Sequence, residues 1–349
     1  MALKLFGVLP AGAPQGGEQV WLAELKTEKV KVEILSYGAI IHRVLAPDRK
    51  GRQADVVLGT DSLGGYMDPG APAGSVIGRV ANRIKNHSFS INGKRYALDA
   101  NENRNTLHSG SGNYAHRNYA VIDATDTSVR LAMRDRGEGG FPGEVTVEVC
   151  YTLSGDGTLL LEYSAVPTMD TPFNPTNHVY FNLAGHGSGK LNSQSLSIDA
   201  ALYTPTDSLN IPTGEVRKVK KTPLDFTKPR NLSEAIYELE MFDDRWDGFD
   251  YNFVIDSDGW RKVAEASDTV SGRALEVFTD LPGIQLYTAN HVAKGFAGKD
   301  GALYQPNAAF CLETQFFPDS IHKPHFPGGI AFANELFTTA TAYRFSVGR

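Results

Sequence analysis

Glu313 and His178 each combine a proton-transfer group with strongly apolar neighbours. Glu313 follows the run Phe310-Cys311-Leu312, and His178 lies in Asn177-His178-Val179-Tyr180-Phe181. Removal from water raises the pKa of a carboxyl group, which makes it a better base. A nearby imidazole can then act as the acid that donates a proton. Neither residue belongs to a metal-ligand motif. The pair therefore predicts chemistry that only moves protons.

Taken separately, each residue has a plainer interpretation. A His in an apolar strand is more often a hydrogen-bonded core or surface residue than a catalyst. A Glu near a strand end is usually solvated or salt-bridged. A catalytic role for His178 and Glu313 therefore depends on the other residues of the chain.

Motifs for other chemistries are weak in this chain. His322 and His325 are close, but Pro324 separates them, and the sequence has neither His-Glu-x-x-His nor Cys-x-x-Cys, so no metal is expected. The glycine-rich stretches 109–112 and 137–140 lack the following helix of a phosphate-binding loop. A carboxylate pair for glycoside hydrolysis stays open, because many acidic residues are available.

The composition of the chain indicates which partners and which cellular compartment to expect. The chain has 349 residues, 41% of them hydrophobic, and a formal net charge of -6. This acidic balance argues against nucleic acid or an anionic membrane as the main partner. No signal peptide or membrane-spanning run is visible, which predicts a cytoplasmic protein. Cys150 and Cys311 fit free thiols, although one disulfide stays possible.

Strand periodicity dominates the sequence. Alternating polar and apolar residues, separated by glycine-rich turns, predict a single all-β domain over residues 1–349, built as a large antiparallel β-sandwich. One short helix is expected, with Ser233 as its N-cap. The predicted strands include Lys29–Ile34, Val145–Tyr151, Leu159–Tyr163, Ser195–Asp199 and Arg273–Phe278.

Several blocks of sequence resemble the galactose mutarotase (aldose 1-epimerase) family. They occur in the family's order and cover nearly the whole chain. The blocks are Gly78-Arg79-Val80-Ala81-Asn82-Arg83-Ile84, Asn105-Thr106-Leu107-His108, Thr176-Asn177-His178-Val179-Tyr180-Phe181-Asn182-Leu183, Gly248-Phe249-Asp250-Tyr251-Asn252-Phe253, Pro282-Gly283-Ile284-Gln285-Leu286-Tyr287-Thr288 and Cys311-Leu312-Glu313-Thr314-Gln315.

The resemblance implies a galactose mutarotase-like supersandwich that interconverts the α and β anomers of free hexoses, mainly D-galactose and also D-glucose. No cofactor is implied, and we expect a monomer or weak homodimer. Glu313 would be the base and His178 the acid, with His108 as a second active-site histidine. Sugar hydroxyls would be bound by Arg83, Asn82, Asp250 and Gln285. Stacking on the sugar would fall to Tyr180, Phe181 or Phe316.

The chain departs from the family pattern after His108. The family often has Gly-Gly, then Gly-Phe and a Trp, where this chain has Ser109-Gly110, Asn113-Tyr114 and Tyr119. The departure leaves substrate preference open. Three alternatives remain: an epimerase for another or a phosphorylated hexose, a non-catalytic sugar-binding protein, and a glycosidase or polysaccharide lyase on a related sandwich.

Overall fold

Strands dominate the computed structural model, which describes residues 3–242, 247–256 and 258–348. The helices within these ranges are α1 (Leu63–Tyr66) and α2 (Leu232–Phe242), with a few short 3-10 turns. None of the described helices is long and apolar enough to cross a membrane. The strands are β1 (Leu3–Val8), β2 (Gln19–Lys26), β3 (Lys31–Leu35), β4 (Ile41–Pro47), β5 (Gln53–Asp55), β6 (Val76–Ile77), β7 (Arg83–Ile84), β8 (Ser88–Ile91), β9 (Lys94–Ala97), β10 (Thr106–Leu107), β11 (Ala120–Ala124), β12 (Ser128–Asp135), β13 (Val145–Leu153), β14 (Thr158–Pro167), β15 (Thr171–Pro172), β16 (Thr176–Asn177), β17 (Gln194–Ile198), β18 (Leu202–Thr204), β19 (Arg217–Lys218), β20 (Arg230–Asn231), β21 (Asp250–Val254), β22 (Arg261–Asp268), β23 (Arg273–Thr279), β24 (Gly283–Tyr287), β25 (Phe296–Ala297), β26 (Leu303–Tyr304), β27 (Cys311–Gln315), β28 (Ile330–Ala331) and β29 (Phe337–Val347).

Three larger sheets carry the architecture, and their neighbouring strands pair antiparallel. The first sheet has the order β1-β2-β3-β4-β5. The second has nine strands, in the order β11-β12-β13-β14-β29-β23-β22-β17-β20. The third has the order β19-β18-β21-β24-β27. The remaining described pairs are two-stranded.

One continuous hydrophobic cluster joins the three sheets. Period-two alternation buries one face of each strand, and in β13 every second residue from Val145 to Leu153 is buried. The two five-stranded sheets share this core with the nine-stranded sheet, which is the layering of a sandwich. Core members from the first, second and third sheets include Val32, Val44, Val147, Leu161, Phe253 and Leu286.

The third sheet differs from the others because it is buried on both faces near its edge. All five residues of β24 and all five of β27 are buried. Leu286 and Leu312 pack in the hydrophobic core, so the alternate residues of both strands point to the opposite face. The candidate site lies on that opposite face.

The predicted all-β sandwich and its predicted strands are confirmed, with bounds that shift by at most four residues. The helix prediction was wrong in its start. Helix α2 begins at Leu232, and the Asn231 side chain, not that of Ser233, accepts the free Glu234 N–H at 3.1 Å. Ser233 instead hydrogen-bonds Asn192. Both cysteines are free thiols, with Cys311 buried and Cys150 partly buried.

Candidate active site

A cavity of about 250 Å³ opens beside the third sheet and collects the polar residues of several elements. Strands β7 and β10, the segment after β16, and β21, β24 and β27 all contribute to its wall. The lining residues are Pro69, Gly70, Ala71, Asn82, Arg83, Glu102, Leu107, His108, His178, Tyr180, Asp250, Tyr287, His291, Val292 and Glu313. Six of the seven residues that the sequence nominated for catalysis or binding therefore meet here.

Glu313 reaches the cavity because it lies at the middle of β27. Its neighbour Leu312 is in the core, and Thr314 hydrogen-bonds Thr341 of the nine-stranded sheet. Alternation then turns Glu313 to the other face, directly opposite Gln285 of β24. The Glu313 residue is only 4% exposed. Strand β27, which pairs with β24 along its whole length, therefore fixes a carboxyl group that has little contact with water.

His178 lies beside Glu313 in the cavity wall. Its Nε2 lies 3.6 Å from Glu313 Oε1, and its ring stacks on Tyr180 at a centroid distance of 4.9 Å. The backbone N–H of His178 donates to Ser75, which holds the segment in an extended form. Nδ1 is buried and has no hydrogen-bond partner among the described residues. The imidazole is thus positioned by stacking and backbone pairing.

The tautomer of His108 follows from a single contact. The Asn82 backbone N–H donates to His108 Nδ1 at 3.1 Å, so the proton of the neutral ring is on Nε2. The His108 N–H donates back to the Asn82 carbonyl at 2.8 Å. Both residues have a left-handed backbone, with φ of 59° for Asn82 and 50° for His108. Reciprocal bonds therefore hold an N–H donor in the wall.

Arg83 lies between two carboxylates. Nε and Nη2 donate to the two oxygens of Glu102 at 2.6 and 2.8 Å, and Nη1 lies 3.6 Å from Asp250. Burial alone would lower the pKa of Arg83, but the Glu102 hydrogen bond and the Asp250 charge outweigh burial and raise that pKa. The cation of the cavity is therefore permanent and heavily shared.

Gln285 is the nominated residue that does not line the cavity. Its amide donates to Asp250 Oδ1 at 2.6 Å, and its carbonyl oxygen accepts from Gln315 at 3.1 Å. Gln315 also donates to Asn252, whose amide donates to Thr204. A buried polar ladder thus crosses the third sheet and ends on Asp250, so Gln285 contacts the site through that carboxylate.

The two neighbouring groups have pKa values displaced in opposite directions. Burial first, and the Asp250 charge second, raise the pKa of Glu313 well above 4.5, while Arg83 opposes the shift. Burial lowers the pKa of His178 from 6.5 to about 4. The direction for Glu313 agrees with expectation. The imidazole pKa falls because exclusion of water outweighs the His178 backbone and the Asp250 charge, both of which act to raise it.

Burial has the same effect on His108. Desolvation, followed by the nearby His178 and Arg83, lowers its pKa well below 6.5. A neutral His108 with its proton on Nε2 therefore persists through the physiological pH range.

The structure adds residues that sequence reasoning missed. Glu102 follows Asn101 in a polar loop and carried no local signal, and His291 lies in a stretch without a motif. The altered residues after His108 do not line the cavity: Ser109 hydrogen-bonds Val80, and Tyr114 donates to Asp135 in the core.

The aromatic candidates separate cleanly. Tyr180 lines the cavity, whereas Phe181 is fully buried in the core and Phe316 packs against Phe337. Among the described residues, no group of three or more His, Cys, Asp or Glu side chains has the arrangement of a metal site.

The fold and the cavity have clear counterparts among known proteins. The sequence matches the aldose 1-epimerase family over residues 22–344. It is 39% identical to galactose mutarotase of Bos taurus and 38% identical to that of Homo sapiens, in each case over 98% of both chains. A solved aldose epimerase homologue from C. elegans superposes with a TM-score of 0.87 at 28% identity, covering 94% of this chain and 99% of that one.

These likenesses span almost the full length of the chain. Fold and site together define a class of protein: an antiparallel β-sandwich with a polar cavity lined by histidines and carboxylates. The chain belongs to the aldose 1-epimerase family.

Proposed function

We propose that this protein is an isomerase that interconverts the α and β anomers of free hexoses, mainly D-galactose and also D-glucose. The observation that carries the proposal is the close pairing of His178 with Glu313 in the wall of a cavity of about 250 Å³, in a chain of this family. The two oxygens on C1 of a pyranose are bonded to one carbon. An acid and a base that serve them must therefore lie within a few ångströms of each other.

The reaction opens and recloses the hemiacetal. The Glu313 carboxylate takes the proton of the C1 hydroxyl while the C1–ring-oxygen bond breaks, and the ring oxygen takes a proton from His178. C1 becomes an aldehyde, and rotation about C1–C2 presents its other face. The ring hydroxyl then attacks C1, His178 recovers its proton, and Glu313 returns its own to the new C1 hydroxyl. Each positioned group is worth about 10² to 10⁴ in rate.

The displaced pKa values of Glu313 and His178 fit the open-chain stage of this reaction. In the open-chain complex Glu313 is a neutral carboxyl and His178 a neutral imidazole. Burial raises the pKa of Glu313 and lowers that of His178, so the cavity favours this neutral pair over the carboxylate–imidazolium pair. The protein thereby stabilises the ring-opened side of the reaction relative to the closed side.

The remaining nominated residues would orient the sugar. The Nε2–H of His108 donates to the ring oxygen or a neighbouring hydroxyl, since its Nδ1 is already occupied. The free N–H groups of Arg83, the Asn82 amide and the Asp250 oxygens offer directional bonds to hydroxyls. Gln285 supports Asp250 from behind. Because ring opening and closure need proton transfer but no redox step or group transfer, the reaction needs neither a cofactor nor a metal.

We further propose a cytoplasmic monomer or weak homodimer that acts as one domain over residues 1–349. The hydrophobic cluster, which runs from Ala23 to Phe345, supports one folding unit. Free Cys150 and Cys311 are compatible with a reducing compartment.

Polarimetry tests the proposed activity directly. Freshly dissolved α-D-galactose is followed with and without the protein, and D-glucose is followed in parallel. We expect a faster decay of optical rotation to an unchanged final value, and a larger acceleration for galactose. A decay no faster than that in buffer, for both sugars, would refute the proposal.

A further inference from the structure

Glu102 occupies the forked edge of Arg83 inside the cavity. Its two oxygens accept from Nε and Nη2 at 2.6 and 2.8 Å. Arg83 has one further nitrogen, Nη1, and this faces Asp250 at 3.6 Å. Glu102 therefore already fills one of the two guanidinium edges that can bind a carboxylate or phosphate in a bidentate manner, the Nε–Nη2 edge. The other edge carries Nη1, which faces a second carboxylate, Asp250.

A short turn holds Glu102 in this position. The backbone of Glu102 exchanges hydrogen bonds with that of Asn105, and Asn103 between them has a left-handed φ of 53°. Two residues further on, Leu107 of β10 pairs with Arg83 of β7. The carboxylate and the guanidinium thus belong to one hydrogen-bonded unit.

The charges in the cavity wall follow from these contacts. Among the residues that the structure describes, Arg83 is the one Arg or Lys that lines the cavity, and Glu102, Asp250 and Glu313 are the acids that line it. Even when Glu313 is counted as neutral, two carboxylates face one guanidinium. An anionic sugar would have to displace Glu102 from Arg83 and would then meet a like-charged wall.

We propose that Glu102 determines the charge specificity of the cavity: it fills the Nε–Nη2 edge of Arg83, adds a second carboxylate to the wall beside Asp250, and makes the site reject hexoses with an anionic substituent, in favour of neutral and cationic ones. The inference rests on the proposed sugar anomerisation and adds to it a substrate class, excluding uronic acids and sugar phosphates. Glu102 acts through Arg83 and through its own charge, so its effect depends on the charge of the ligand.

The test uses three sugars that differ in charge. D-Galactose is neutral, D-galacturonate carries a carboxylate at C6, and D-galactosamine carries an ammonium group. For each, kcat/KM is measured by polarimetry and the dissociation constant by titration calorimetry, with wild type and Glu102→Gln. We expect the galacturonate-to-galactose ratio to rise about tenfold in the variant and the galactosamine-to-galactose ratio to fall, as the loss of one nearby charge requires.

Two further variants separate charge from disturbance. Glu102→Asp keeps the negative charge. Because the charge sets the specificity, this variant should keep both wild-type ratios within about threefold. Glu238→Gln breaks another Arg–Glu pair, between Glu238 of helix α2 and Arg230 of β20. This pair lies outside the cavity lining, so the variant should change neither ratio.

The outcomes distinguish this inference from the proposed function. Ratios that are unchanged in Glu102→Gln, or that shift equally in Glu238→Gln, would overturn the role of Glu102. If wild type accelerates the mutarotation of no sugar, the proposed function fails, and the calorimetric ratios still decide the charge specificity.

Discussion

In the proposed reaction, the burial of Glu313 favours proton transfer at the expense of stability. Its pKa is raised in the folded state, so ionisation of this side chain is resisted by the fold. Such a group contributes stability that is fully present below the unfolded pKa of about 4.5 and is lost as the pH rises through the folded pKa. At neutral pH a neutral side chain of the same shape should fit the site better.

We therefore expect Glu313→Gln to lose nearly all turnover and to gain thermal stability at pH 7. A rise of roughly 1–3 °C in Tm is expected, because about 1 kcal/mol moves the midpoint of a large chain by only a few degrees. The gain should vanish below pH 4.5. Calorimetry across pH measures it, with exposed Glu162→Gln as the control that changes neither Tm nor activity. A loss of Tm at neutral pH would contradict this account of Glu313.

The pH dependence of kcat/KM should report the shared proton of the pair. Activity requires one proton on Glu313 and His178 together, so the acid limb should fall near pH 4, the value to which burial lowers the pKa of His178. The alkaline limb should follow the raised pKa of Glu313. An acid limb at pH 6 to 7 would mean that the imidazole is not desolvated as described.

Asp250→Asn should move the alkaline limb to lower pH, since the Asp250 charge helps to raise the pKa of Glu313. The shift is read from the blank-corrected profile and is separate from any loss of sugar binding. Asp123→Asn, which removes an exposed charge from the edge strand β11, is the matched control. An alkaline limb that stays in place in Asp250→Asn would show that the two carboxylates do not interact.

At the scale of elements, a buried ion pair fastens the β25–β26 hairpin to the first sheet. Lys299, between these strands, is fully buried and donates to Asp55 at 2.6 Å and to the His42 carbonyl at 2.7 Å. The same stretch of chain leads back to His291 and Val292 on the cavity rim. The hairpin therefore connects the sandwich to one wall of the site.

Lys299→Met should destabilise the protein by about 3–5 kcal/mol, because it leaves the buried Asp55 carboxylate without its main partner. The double variant Lys299→Met/Asp55→Asn should recover part of this loss, since no unpaired charge remains. Urea denaturation of both variants measures the difference. Equal losses in the single and double variants would contradict the role of the ion pair.

Elements differ in how far the sequence reveals them. Strand β13 was predictable because every second residue is apolar and the period is local. The start of helix α2 was not, since Asn231 and Ser233 are both good caps and the choice depends on the contact of Ser233 with Asn192. Glu102 gave no signal at all, because its role arises from pairing with Arg83, which is distant in sequence. The burial of Gln285 behind Asp250 likewise follows from the register of the third sheet.

At the scale of the whole molecule, the shared core predicts a single cooperative unfolding transition. Trp21 lies in β2 of the first sheet, and Trp260 lies beside β22 of the nine-stranded sheet. Fluorescence from each tryptophan, isolated by Trp→Phe variants, should share one denaturation midpoint with far-UV circular dichroism. D-Galactose should raise both midpoints together. Separate midpoints for the two tryptophans would refute the single-domain proposal.

The most direct test of the central claim is proton exchange spectroscopy by NMR on D-galactose at anomeric equilibrium. With catalytic amounts of wild-type protein we expect exchange cross-peaks between the α and β anomeric protons, and we expect none with Glu313→Gln or His178→Asn in folded form. Two results would contradict the assignment of Glu313 and His178 as the base and acid of an anomer-interconverting site. One is the absence of exchange with wild type, and the other is exchange with both variants at the wild-type rate.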